Sequence, residues 1–495
     1  MKFKFSSDFL RNAQWLKPLE MPPERDIVLT SFDQKFVGFG SCFAQNLKAV
    51  IEPFHFSFWF NREICAHYST QTLLQTLRRA SGTEPHQEDE FYEVDENPED
   101  VVLTNYWKLR FFGPNARVRA RDTRDILDKE LLKNVAEGDI FIITLGNSVI
   151  FKPKTRNTVP CNLYGLTLED FYMYQQTPED VERDLIEIYS ILLRIREGRT
   201  FKMFVTISPQ RYLYDPKDLE FSAVENNCLM KSVLKVAVNS FVKSKAAEGV
   251  RYFPAYEMVM EELRLYETLS TYDHTHINQD FTPRYVVKKF LKRHASDAVL
   301  GILPIIEGIK ELLDETNLDL SRGAAGTNPF IVEPWLELFK RLVVASREVF
   351  PRQLWASALD IAAKLGIANH LREVFSGENL SEDMNVAVSW FYQQNNRSVH
   401  LASQMIQDFT ILVENTNNHM AQGALGTDIS IVEDWKSFFK RMLDVSQESF
   451  HNELWNTALD CADKIGIKNH LGDVFSNSPV SDDVRALLYK FYSLR

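Results

Sequence analysis

The stretch Asp139-Ile140-Phe141-Ile142-Ile143-Thr144 decides the fold. It is a short continuous apolar run that stops at Leu145-Gly146-Asn147, the pattern of a strand buried on both faces. Three further runs have the same texture: Lys35 to Phe39, Phe201 to Ile207 and Val250 to Pro254. Between them the period changes. Val181, Leu185, Ile188, Leu192 and Ile195 fall on one face of a helix over 178–195, and a second helix is expected from about 230 to 245. Alternating strands and helices predict an α/β fold, a parallel sheet joined by right-handed crossovers. Ligands of such sheets sit beyond the carboxyl ends of the strands. The polar residues that punctuate those ends are Ser41, Asn147, Ser208 and Glu257.

Composition narrows the function. The chain has 495 residues and a net charge of −12, which argues against nucleic acid or an anionic membrane as the main partner. No apolar run reaches 18 residues, so no membrane span is expected. Charges at Lys2, Lys4, Asp8 and Arg11 interrupt the N-terminal segment, unlike a secretory signal. The five cysteines are widely spaced, with no CxxC pair. Neither a disulfide framework nor a zinc ribbon is suggested, and the expected compartment is the cytoplasm.

The last 195 residues read as helices throughout and contain a duplication. Residues 321–392 and 421–492 align without gaps at a spacing of 100, with 33 identities over 72 positions. Trp335 recurs as Trp435, Trp355 as Trp455, Gly366-Ile367 as Gly466-Ile467, and Asn369-His370-Leu371 as Asn469-His470-Leu471. Gly366 and Gly466 are expected to cap helices in the left-handed conformation. Trp335, Phe339 and Leu342 share one face, as do Trp355, Leu359 and Ala362, and both faces are expected to be buried. Gly323 to Gly326 and Gly423 to Gly426 read as flexible entries to each unit, and Lys340-Arg341 and Lys440-Arg441 as solvated. The expected division is therefore 1–300, 301–400 and 401–495.

Two strings carry the chemistry. Gly40-Ser41-Cys42-Phe43-Ala44 puts a hydroxyl and a thiol at a helix N-terminus, where free N–H groups and the dipole stabilise an anion. Asp273-His274-Thr275-His276 fits D-x-x-H, in which an Asp orients a general-base His. Asp273, His274 and His276 also read as three metal ligands, but local spacing alone does not make a site. No metal or cofactor is expected.

Several further strings accompany these: Thr144-Leu145-Gly146, Pro160-Cys161-Asn162, Thr206 to Arg211, and Tyr252-Phe253-Pro254-Ala255-Tyr256-Glu257. Together they resemble the GSCFA family across about residues 34–290. That family in turn resembles the SGNH (GDSL-type) hydrolases, which implies a three-layer α/β/α fold for this part of the chain. The resemblance implies an esterase or acyltransferase with its nucleophile after the first strand, at Ser41 or Cys42, and a triad closed by Asp273 and His276. Overlaying G-D-S on Gly40-Ser41-Cys42 favours Cys42, and matching serine to serine favours Ser41. The oxyanion string reduces to Gly146-Asn147, with Asn61 a second donor. Arg211 is a candidate for an anionic substrate group and Glu257 for a cleft acid. The implied substrate is a small-molecule or carbohydrate acyl ester, an O-acyl sugar among them.

Plainer readings stand beside these. Ser41 reads equally as an N-cap, Cys42 as a small buried apolar residue, Arg211 as a structural ion pair, and Glu257 as a helix-start residue. A binding or scaffold protein on a retired hydrolase fold is the alternative function. Residues 301–495 would then contact a protein partner or a second copy.

Overall fold

The computed structural model describes residues 25–211, 222–263, 268–269, 276–322, 328–377, 379–448, 452–476, 480 and 482–493. Among the described residues up to Tyr252 there are ten strands: β1 Phe36–Gly40, β2 Phe58–Trp59, β3 Phe91–Glu93, β4 Asp100–Leu103, β5 Leu109–Phe112, β6 Ile140–Leu145, β7 Val149–Pro153, β8 Phe171–Gln175, β9 Lys202–Ile207 and β10 Val250–Tyr252. The helices among them are α1 Cys42–Ile51, α2 Arg62–Cys65, α3 Thr70–Ala80, α4 Ala116–Glu137, α5 Pro178–Ile195, α6 Ala223–Lys245 and α7 Thr282–His294.

The four predicted strands all form and join β2 in one parallel sheet, in the order β10-β9-β6-β1-β2. Every residue of β6 is buried, as expected of a central parallel strand covered on both faces. Helices α1 and α7 pack together, and α5 packs against α3, α4 and α6. The bounds of α5 are those read from its apolar period. Thr177 caps it by accepting from the Asp180 N–H, and Asp180 reciprocates.

Two smaller pieces depart from the sequence reading. β3, β4 and β5 form an antiparallel sheet and β7 pairs with β8. Their strands are short and partly solvated, so they lack the continuous apolar runs that mark the main sheet. A buried ionic network ties the first piece to α3 and α4. Glu90 is fully buried and meets Arg79 at 3.0 Å and His86 at 3.0 Å, while His86 also reaches Asp128 at 2.9 Å. Those carboxylates outweigh the burial that opposes a charge on His86, and its pKa rises to about 9.

The C-terminal part is helical: α8 Asp297–Ser321, α9 Pro329–Ala345, α10 Arg352–Lys364, α11 Leu371–Gly377, α12 Glu382–Ala421, α13 Ile429–Glu448, α14 Asn452–Lys464, α15 Gly472–Ser476 and α16 Asp482–Ser493. Contacts divide the chain into two compact units. One holds the α/β part through 315 together with 341–354, and the other holds 316–340 and 355 onward.

The duplication is visible in bonds as well as sequence. Trp335 Nε1 donates to Thr316 Oγ1 at 3.0 Å, and Trp435 Nε1 donates to Thr416 Oγ1 at 3.0 Å. Each Thr lies upstream of the aligned window, so the repeat extends further than its identities. Gly366 (φ 74°) and Gly466 (φ 81°) do end helices. The Ile367 and Ile467 N–H groups reach back to the carbonyls of Ala362 and Ala462, a Schellman closure. In the second unit Trp435, Phe438, Phe439, Trp455, Leu459 and Phe475 form one core. Gly423 to Gly426 is a packed turn rather than a flexible entry, because a Cβ at Gly426 would meet the Ile465 carbonyl at 2.1 Å. Gly323 to Gly326 lies outside the described residues. Lys340, Arg341, Lys440 and Arg441 are exposed as expected. Among the described residues no helix is long and apolar enough to cross a membrane.

Candidate functional site

The chain leaves β1 toward β2 on one side and returns to β6 on the other, so β1 and β6 flank the topological switch point of the sheet. The turn after β1 is built around Gly40. Its φ is 112°, and an added Cβ would lie 2.1 Å from the Thr144 carbonyl oxygen. Only glycine fits there. The Ser41 N–H donates to that same oxygen at 2.9 Å, which carries the ladder one residue further before α1 begins.

Ser41 and Cys42 take different directions from this turn. Ser41 is 1% exposed. Its Oγ accepts from the Phe43 N–H at 3.3 Å and lies 3.1 Å from Thr144 Oγ1, so it occupies the N-cap of α1. Cys42 is the first residue of α1 and half-buried, with Sγ 3.0 Å from the Tyr68 hydroxyl.

Tyr68 connects the two sides of the crevice. Its carbonyl accepts from the N–H groups of both Gly146 and Asn147, at 2.9 and 3.0 Å. Its ring lies against Gly146, where an added Cβ would be 2.7 Å from Cδ1. Asn147 is 2% exposed, and its Oδ1 is buried without a hydrogen-bond partner among the described residues. Such an orphan costs about 1–3 kcal/mol unless a bound group satisfies it.

Behind Gly146 stands a residue that the sequence reading missed. Lys231 of α6 is fully buried, and its Nζ donates to the carbonyls of Gly146 at 2.6 Å and Ser208 at 2.8 Å. It ties the ends of β6 and β9 together. Burial pulls its pKa down from the ordinary 10.5 to about 7. The available signal was a lysine in register with the apolar stripe of Leu234, Val238 and Phe241. His67, beside Tyr68, was also missed. Its N–H donates to the Gly40 carbonyl at 3.0 Å and its Nε2 meets the Ile64 carbonyl at 2.9 Å. Burial lowers its pKa to about 4, so the ring is neutral at pH 7.

The remaining predicted residues scatter around this centre. His276 is exposed and leads toward α7. Phe290 of α7 packs on Phe36, the first residue of β1, and the His294 carbonyl accepts from Leu29 N–H ahead of that strand. The N-terminal end of α7 therefore points toward the carboxyl edge of the sheet, the edge that carries Cys42. Asp273 and His274 lie outside the described residues.

Asn61 is occupied at both ends: its Oδ1 caps α2 through the Glu63 N–H at 3.0 Å, and its Nδ2 donates to Glu130 at 3.0 Å. Glu257 pairs with Lys235 and accepts from the Tyr252 hydroxyl at 2.6 Å. It follows β10, three strands from β1, or about 14 Å along the edge. Arg211 follows β9, two strands away. Cys161 is buried, and its thiol is pushed up to about 12 by that burial, which makes it inert.

A family model described as "GSCFA family" matches residues 35–290, just over half of the chain. No curated protein and no solved structure matches.

Proposed function

The chain belongs to the GSCFA family, and from that premise we propose that it is a thiol-dependent esterase or acyltransferase of the SGNH type, acting on an acyl ester at the crevice between β1 and β6. Cys42 attacks the acyl carbonyl and forms a thioester, and the alcohol leaves. His276 takes the thiol proton and returns it to the departing alkoxide, with Asp273 orienting the imidazole. The Asn147 side-chain NH2 and the Cys42 backbone N–H donate to the oxyanion. Water completes a hydrolysis, and a second hydroxyl completes a transfer.

The observation that carries this reading is the division of labour at the turn after β1. Ser41 is buried as a cap, while Cys42 holds a half-buried thiol against the Tyr68 hydroxyl at the crevice. An O-acyl sugar is within this class of substrate.

The test is hydrolysis of a short-chain aryl ester by four proteins. Cys42→Ala and His276→Ala are expected to lower kcat/KM by about 10³-fold or more. Ser41→Ala is expected to keep most activity and lose about 1 kcal/mol of stability as a lost N-cap. If His276→Ala matches the wild type, the triad fails.

A second reading has its own support. Among the described residues the partner of the Cys42 thiol is a phenol rather than an imidazole, as a binding protein on a retired fold would allow. That reading gains if all four proteins are equally inactive.

A further inference from the structure

Beyond Tyr68 lies a group of side chains that the proposed chemistry does not use. The Trp107 ring is 5.3 Å from the Tyr68 ring, whose hydroxyl meets Cys42 Sγ. Two cations sit against Trp107: the Arg62 guanidinium at 5.6 Å from the ring centroid and Lys108 Nζ at 5.7 Å. Lys108 Nζ is also 5.5 Å from the Tyr164 ring. Neither cation has a carboxylate partner among the described residues. Both are exposed, so the two charges are held by the rings and not neutralised by a neighbouring carboxylate.

The backbone gives an independent sign. Lys108 has φ 55°, a left-handed conformation that few non-glycine residues adopt. The Trp107 N–H holds this bend in place by donating to the Glu63 carbonyl at 2.7 Å. Strain of this kind concentrates where geometry serves a ligand. Here it aims an ammonium into the gap between two aromatic rings. Cation–π contacts can orient the cations without neutralising them. The Trp107 Nε1 donor is likewise buried and without a partner among the described residues.

We propose that Arg62 and Lys108, mounted on Trp107 and Tyr164, form an anion-binding subsite beside the Cys42 thiol, and that the ester processed there carries a carboxylate or a phosphate. The second half of this statement rests on the acyl-transfer reading above. The first half does not. Arg62 supplies a planar fork of donors and Lys108 a point charge, a pair suited to either anion.

The test uses the full chain and two alkylating reagents, anionic iodoacetate and neutral iodoacetamide. Adduct formation is followed peptide by peptide, and the exposed Cys228 serves as an internal reference. The ratio of iodoacetate to iodoacetamide rates at Cys42 is expected to exceed that at Cys228 by about tenfold, as local attraction of an anion requires. In Arg62→Gln/Lys108→Gln it is expected to fall to the Cys228 value. Protection of Cys42 from iodoacetate by inorganic phosphate, or by glucuronate, identifies which anion the subsite prefers. Equal ratios at the two cysteines overturn the subsite, as does a ratio that the double variant leaves unmoved, or a Cys42 that neither reagent reaches. None of these readouts needs ester turnover. An inactive protein with a high ratio would fail the acyl-transfer reading and keep the subsite.

Discussion

Gly40→Ala is expected to destabilise the α/β part by more than about 4 kcal/mol, the range reserved for backbone or core disruption. The added methyl carbon would lie 2.1 Å from Thr144 O, 2.7 Å from Thr144 C and 2.9 Å from Thr144 N. Those atoms belong to the ladder between β1 and β6, so relief requires the two central strands to separate. The residue would also have to hold φ 112°. A control separates the two causes. Gly82 has φ 71° with nothing within 4 Å of the added Cβ, so Gly82→Ala is expected to cost only about 1–2 kcal/mol of left-handed strain. Urea midpoints of the two variants check this. Equal losses would mean that the close approach to Thr144 has no energetic consequence.

The second large effect belongs to Lys231. Its pKa in the folded chain, about 7, lies below the ordinary 10.5. Between those values the unfolded chain binds the extra proton, so stability rises with pH across that window and is lost as pH falls toward 7. Lys231→Met removes this dependence and leaves all other titrations in place. The stability of the wild type relative to Lys231→Met is therefore expected to rise from pH 6 to pH 9.5, by up to about 3 kcal/mol at 1.36 kcal/mol per unit. Bonds to two carbonyls hold the ammonium proton and oppose burial, which makes that figure an upper value. Urea unfolding of both proteins at both pH values decides it. A difference that stays flat with pH would mean that the amine remains charged in the core throughout.

These two residues also mark what could be read from the chain alone. The central strands and α5 were legible because a buried parallel strand and an amphipathic helix write their period directly into the sequence. The two antiparallel pieces were not, since their short, half-solvated strands alternate weakly. Gly40, Ser41, Cys42, Gly146 and Asn147 were found because they punctuate strand ends. Tyr68 was not, because it stands in a loop with no periodic signal. Its carbonyl bonds to Gly146 and Asn147 and its hydroxyl beside Cys42 place it in the crevice. Lys231 left a faint trace as a charge in an apolar stripe. Thr316 and Thr416 lay beyond the aligned repeat, where bonds to Trp335 and Trp435 persist after most identities are gone. Glu257 was legible as a polar residue after a strand and Asn61 as a second candidate donor, but their side chains are engaged in an ion pair and a helix cap.

The most direct measurement is the site of acylation. The chain is mixed with an activated aryl acetate, quenched, digested and read by mass spectrometry. The account predicts an acetyl group on Cys42 that neutral hydroxylamine removes, as it removes a thioester, and that Cys42→Ala lacks. An acetyl group on Ser41, or a Cys42 no more acetylated than the exposed Cys228, would contradict it.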